Sequence, residues 1–284
     1  MQEVATGYGL IEGPVWDSAK GLYFSDVMNG GVFLLDRKDK VTQVVPKRRG
    51  IGGMALHADG GLVIGGKDIV WVSGDGKQNK VLLTKEVTPV AVGFNDLTTD
   101  KAGRIYVGSL GYIVFGGEPP RAGHLHVIDL DGSVRTISDG IMLTNGLGVS
   151  PDGKKLYHSD ARGGVVRVYD VAADGSVGAW RKFASLGGEG VADGLKVASD
   201  GSVWVADAHG GRIAIFNADG TQRPDLPVPL PMVTSLCFAG DDLRDLYVVT
   251  GSRGGPRENC GTIFRTRVDV PGLALAPARV DLSA

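Results

Sequence analysis

Apolar and polar residues alternate in short runs along this 284-residue chain, and the runs recur as copies of one unit. Each copy is an apolar stretch, a tight Asp/Gly-rich turn and a second apolar stretch ending in small or polar residues. The copies read EGPVWDSAKGLYFSDV from Glu12, GGMALHADGGLVIGG from Gly52, NDLTTDKAGRIYVGS from Asn95, NGLGVSPDGKKLYHSD from Asn145, DGLKVASDGSVWVAD from Asp193 and TSLCFAGDDLRDLYVVTGS from Thr234. Successive openers lie 40, 43, 50, 48 and 41 residues apart. A repeat of about 40–50 residues with four short strands per unit is the signature of a β-propeller. The first unit divides into GPVWD, GLYFSDV, GVFLLDRK and KVTQVVP; the fifth into GLKVA, SVWVADA, RIAIFN and a looser segment around QRPDLPV. No stretch sustains a helical period. The expected fold class is all-β: a six-bladed β-propeller with four-stranded blades around a central channel.

Turn chemistry agrees with this reading. Sharp turns recur at HADGG, SPDGK, LDGS, ADGS and ADGT, and glycine supplies 45 of 284 residues without a collagen period, as turns needing positive φ require. A closed ring cannot be cut without exposing sheet edges, so residues 1–284 are expected to form one domain. Unit six shows three clear strands, around TSLCFAG, DLYVVTG and TIFRTRV. Its fourth is expected from a terminus, either residues 2–6 or residues 278–282.

Thirty basic residues stand against thirty-two acidic ones. This balance leaves no footprint for nucleic acid or an anionic membrane, and a small molecule is the expected partner. Oligomeric state is left open. No apolar run approaches the ~20 residues of a membrane span, and the start MQEVATGYGL lacks the features of a signal peptide, so a cytoplasmic location is expected. Cys237 and Cys260 are the only cysteines, too few for a disulfide scaffold. Cys237 is expected inside a strand and Cys260 on a loop, as a candidate reactive thiol.

In a propeller the first strand of each blade lines the channel, so all six openers should meet at one end of it. Glu12, Asn95, Asn145 and Asp193 then bring two carboxylates and two carboxamides together. Two facing carboxylates repel, and burial sharpens the repulsion unless a cation compensates. The all-oxygen donor set is hard and favours Ca²⁺, Mg²⁺ or Mn²⁺; one divalent metal ion is expected, Ca²⁺ first, with Zn²⁺ and Fe²⁺ also left open. The competing reading is that each Asx residue only hydrogen-bonds the following turn.

The motifs EGPVWD with LYFSD, FNDLTTDKAGRIYVG, TNGLGVSPDGKKLY and ADGLKVASDGSVWVAD resemble the senescence-marker-protein/gluconolactonase family, which includes regucalcin and the sugar lactonases. The resemblance spans roughly residues 8–268. It implies a six-bladed propeller with one divalent metal in the channel and hydrolysis of a lactone or related ester. It implies Glu12, Asn145 and Asp193 as metal ligands, and Asn95 holding substrate or a water with Asp96 in support. Asp193 and Asn95 are then the catalytic residues, Asp193 accepting the proton of the attacking water while the cation polarises the carbonyl.

One departure bears on substrate. Sugar-acid lactonases of this family carry an arginine two residues before the asparagine of FND, where this chain has Gly93. The loop LGYIVFGGEPPRAG brings Tyr112, Ile113, Val114 and Phe115 to the channel face. Together these features suggest a less polar substrate than gluconolactone. Tyr112, Phe115, His209 and Arg48 are candidate substrate contacts, with Arg49 beside Arg48 and Glu189 as a base behind Asp193. His57 belongs to the opposite face and is set aside. Two alternatives remain: phosphotriester hydrolysis at the same metal site, as in the diisopropylfluorophosphatase type, and a metal-free strictosidine-synthase-like enzyme or propeller binding platform.

Overall fold

The computed structural model describes residues 1–283. The first strand, β1 (Gln2–Tyr8), stands apart from the sheet that follows it. Blade one is β2 (Ile11–Asp17), β3 (Gly21–Asp26), β4 (Val32–Asp36) and β5 (Val41–Val45). Blade two is β6 (Met54–Leu56), β7 (Leu62–Ile64), β8 (Ile69–Val72) and β9 (Asn79–Leu83). Blade three is β10 (Gly93–Thr99), β11 (Ile105–Leu110), β12 (Gly123–Ile128) and β13 (Val134–Ile141). Blade four is β14 (Thr144–Val149), β15 (Lys155–Asp160), β16 (Val165–Asp170) and β17 (Arg181–Ala184). Blade five is β18 (Ala192–Val197), β19 (Val203–Asp207), β20 (Arg212–Phe216) and the two-residue β21 (Leu226–Pro227). Blade six is β22 (Val233–Ala239), β23 (Asp245–Thr250) and β24 (Gly261–Arg267), completed by β1. The expected six-bladed, all-β propeller is what the chain forms.

The amino terminus closes the ring: β1 pairs antiparallel with β24, Gln2 opposite Arg265 and Tyr8 opposite Gly261. The other candidate segment has a different task. Residues 272–281 cross the opposite face as a strap, with Leu273 N bonded to Val197 O, Ala278 N to Leu56 O and Arg279 N to Gly103 O. His57 pins the strap through Nε2, 3.0 Å from Val280 O, which accounts for its burial far from the channel donors.

Between blades, the cores are apolar layers contributed by facing sheets. Ile11, Leu22 and Phe24 of blade one pack on Cys237, Tyr247 and Ile263 of blade six, each large side chain worth about 1.5–3 kcal/mol of burial. Around the channel the inner strands come so close that only glycine fits. A Cβ on Gly146 would lie 2.1 Å from Leu195 N of the next blade, and one on Gly194 2.2 Å from Ser235 Oγ. Both cysteines are free and buried. Burial pushes the Cys237 thiol up to about 11, and Cys260, expected as an accessible thiol, is covered, its Sγ 3.8 Å from Ser252 O. Among the described residues no helix is long and apolar enough to cross a membrane.

Candidate active site

Five of the six inner strands carry a β-bulge at the same height. Register breaks between Glu12 and Val15, Phe94 and Leu97, Thr144 and Leu147, Ala192 and Leu195, and Val233 and Ser235. A bulge adds local twist and re-aims a side chain. Here the breaks span Asn95, Asn145, Asp193 and Thr234 and begin at Glu12, so the repeat's opening residues are the ones redirected. Glu12, Asn95, Asn145 and Asp193 all line one cavity of about 650 Å³ at this end of the channel.

At the floor of that cavity, Glu12 is 8% exposed and Asp193 7%. Burial, then repulsion from Asp193 and Asp96, holds the Glu12 carboxyl well above its usual range. Burial and the charge of Asp96 do the same to Asp193. Neither makes an ion pair among the described residues, and the cation felt by Glu12, Lys196, belongs to the opposite end of the channel. Asn95 donates from Nδ2 to Thr144 O at 2.7 Å and to Asn145 Oδ1 at 2.6 Å. Gly52, the opener without a side chain, makes room for this: its Cβ would fall 1.9 Å from Asn95 Oδ1. Asp96 turns beneath blade two, where a Cβ on Gly53 would lie 2.7 Å from its Oδ1. Its one hydrogen bond among the described residues comes from Leu97 N.

Each of the three expected ligands is held by an aspartate that sequence reasoning missed. Asp26, Asp160 and Asp207 end the second strands of blades one, four and five and accept from the backbone two residues before the ligand. Leu10 N reaches Asp26 Oδ1 at 3.4 Å, Leu143 N reaches Asp160 Oδ1 at 3.0 Å, and Val191 N reaches Asp207 Oδ1 at 3.0 Å. Side chains of the same blades steady these carboxylates: Asn29 for Asp26 at 2.8 Å, Arg167 for Asp160 at 2.6 Å, Arg212 for Asp207 at 3.0 Å. Blades three and six pair Ser109 and Thr250 at this register. The signal was in the sequence, because only units one, four and five end their second strand in FSD, HSD or VAD.

Other expectations fare differently. Thr234 does not face the cavity, since its Oγ1 donates to Ile11 O at 2.6 Å and lies 3.1 Å from Val249 O. Arg48 is absent from the cavity wall; its guanidinium is bound to Gly65 O, Asp68 O and the Asp68 carboxylate. Glu189 is exposed and outside the cavity. Tyr112, Phe115 and His209 do line it, Tyr112 buried, Phe115 and His209 exposed at the mouth. Arg162 and Arg253, missed from sequence, also line the mouth.

With this geometry in hand, a family model described as SMP-30/Gluconolactonase/LRE-like region matches residues 10–252. The chain belongs to this family. Pentonolactonase XacC of Haloferax volcanii is 31% identical over 285 residues, covering 95% of this chain and 94% of its own length. The 6-deoxy-6-sulfogluconolactonase of Pseudomonas putida is 29% identical over 274 residues, covering 93% of this chain and 92% of its own. In fold, the chain is similar to a calcium-binding regucalcin from Agrobacterium tumefaciens, with a TM-score of 0.84, 20% identity and coverage of 98% of this chain and 96% of that one.

The residues of this gluconolactonase-family chain can be tested as a metal site by their chemistry. Among the described residues, no three His, Cys, Asp or Glu side chains converge on one point, so a cation here needs the Asn145 carboxamide oxygen beside the two carboxylates. That donor set suits a hard divalent ion. Two buried carboxylates with no partner cation are the electrostatic defect such an ion would repair. At Gly93 a Cβ would stand 3.1 Å from Gly66 O, a tight but not closed position on the cavity wall.

Proposed function

We propose that this lactonase-family chain is a divalent-metal-dependent lactone hydrolase, with Glu12, Asn145 and Asp193 as ligands and Ca²⁺ as the preferred ion. The observation that carries the reading is the buried, uncompensated pair Glu12 and Asp193 on the floor of the cavity. The names of the relatives, a pentonolactonase and a sulfogluconolactonase, support a lactone as substrate, and a calcium-binding neighbour in fold supports the ion. When bound, the cation supplies Lewis-acid polarisation of the lactone carbonyl.

This chain's own residues do the remainder. Asp193, a buried carboxylate on the cavity floor, takes the proton of the attacking water. Asn95, with both Nδ2 hydrogens directed at Thr144 O and Asn145 Oδ1, fixes the carboxamide of Asn145 so that its oxygen stays in place. The buried side chains of Tyr112 and Phe94 give the cavity an apolar wall beside these polar groups. With glycine at position 93 and apolar side chains on the wall, the body of the substrate is a less hydroxylated ring than gluconolactone. Two unpaired, buried cysteines suit a reducing compartment such as the cytoplasm.

The test is hydrolysis of aliphatic, aromatic and sugar lactones before chelation, after it, and after readdition of each metal. Lactone turnover that disappears with the metal and returns with Ca²⁺ supports the proposal; undiminished turnover in chelator refutes it.

A further inference from the structure

Charge is divided unevenly along the cavity. Its acidic wall residues, Glu12 and Asp193, sit at the floor, whereas the mouth carries Lys67, Arg162, Arg253 and His209. These four come from equivalent loops, between the second and third strands of blades two, four, six and five. Most surface arginines of this chain have a carboxylate partner, as in Arg37 with Asp241, Arg181 with Asp170, Arg223 with Asp200 and Arg265 with Asp39. Arg162 and Arg253 make no ion pair or hydrogen bond among the described residues, and each lies instead over a ring of the blade-three loop. The Arg162 guanidinium carbon is 5.6 Å from the Tyr112 ring and that of Arg253 is 5.8 Å from the Phe115 ring. Stacking orients a guanidinium while leaving its in-plane N–H donors unused. Both cations are therefore held at the mouth against the blade-three loop.

We infer that the substrate is a lactone carrying an anionic substituent, a carboxylate or its chemical equivalent, held at the mouth by Arg162 and Arg253 while the lactone carbonyl reaches the floor. The inference rests on the lactonase reading and adds the charge of the substrate to it. The cationic mouth attracts the anion while the floor takes the lactone carbonyl, so the substrate enters in one orientation. Between the two ends the wall is Leu143, Val191 and Met232, which suits an apolar ring with its charge at the far end.

The experiment compares γ-butyrolactones bearing a terminal carboxylate on a short side chain with the corresponding primary amides, in the metal-loaded wild type and in Arg162→Gln, Arg253→Gln and the double variant. Charge-assisted hydrogen bonds of this kind are worth about tenfold each. The wild type is expected to favour the carboxylates in kcat/KM, through KM, and each substitution to remove about tenfold of that preference, with a smaller loss on the amides. Added salt should erode the preference as well. Equal kcat/KM for carboxylate and amide in the wild type, or equal losses on both in the double variant, would overturn the inference. If neither lactone is hydrolysed, the lactonase reading fails separately, and calorimetry with the open hydroxy acids still decides the charge: tighter binding of the diacid than of its amide, lost in the double variant, upholds it, and equal binding refutes it.

Discussion

Asn95 Nδ2 lies 2.6 Å from Asn145 Oδ1, a hydrogen bond that joins blade three to blade four at the floor of the cavity. The same nitrogen donates to Thr144 O, so both of its hydrogens are committed and its orientation is fixed. Replacing Asn95 by Asp removes both donors and sets an acceptor against two acceptors. Asn95→Asp is expected to lower kcat/KM by at least about tenfold and to weaken metal binding, by analogy with other residues that orient ligands. Steady-state kinetics and metal titration of the variant check this; unchanged values for both would remove Asn95 from the site.

Asp160 should matter for stability before it matters for chemistry. It is fully buried, accepts from the backbone nitrogens of Met142, Leu143 and Gly163, and pairs with Arg167, whose side chain is 5% exposed. Asp160→Ala leaves a buried guanidinium without its partner, a change that costs about 3–5 kcal/mol. Denaturant unfolding should report a loss of that size, whereas a loss below about 1 kcal/mol would mean that the pair behaves like a surface bridge.

Acid stability follows from two buried histidines. Burial lowers His158 from 6.5 to about 3 and His126 from 6.5 to about 4. Each must be neutral in the fold, so its contribution is fully present above the unfolded value and is lost as pH falls from 6.5 towards the folded value. The raised carboxyls of Glu12, Asp96 and Asp193 act with the opposite sign, because they hold protons in the folded metal-free protein that the unfolded chain has released. A difference between variants isolates the histidine. Between about pH 7.5 and about pH 5, wild type should lose about 2 kcal/mol more than His158→Gln. Parallel stability profiles for the two proteins would contradict the assignment.

Gly93 tests the reading of the wall. Its neighbour Gly66 O stands 3.1 Å from where a Cβ would be, so a side chain requires a shift of a few tenths of an ångström. Gly93→Arg is expected to raise kcat/KM for a pentonolactone relative to an unsubstituted alkyl lactone. If the ratio falls or stays constant, position 93 does not set preference for a hydroxylated ring.

Much of this was legible in the chain itself. Opener spacing and Asp/Gly turns reveal six blades because a blade is a local unit, and its strands pair with their neighbours in sequence. Closure by β1 was one of two options, since pairing between chain ends leaves no mark in local pattern. The four polar openers were visible as a set because the repeat aligns them; that they meet depends on bulges, which hydrophobic alternation alone does not announce. Arg48 and Thr234 stand outside the cavity wall for a common reason. Their partners, Asp68 and Ile11 O, are settled by packing rather than by position in the repeat. Arg162 and Arg253 were missed because an arginine in a glycine-rich loop looks like any solvated charge until the ring beneath it is known.

Isothermal titration of the chelator-treated protein with Ca²⁺, for wild type, Glu12→Gln and Asp193→Asn, tests the central claim most directly. The account predicts one ion per chain in the wild type, with protons released on binding as the carboxyls of Glu12 and Asp193 ionise. Each variant should bind at least about tenfold more weakly while folding normally. Wild-type affinity retained in both variants, or no heat of binding in the wild type, would contradict it.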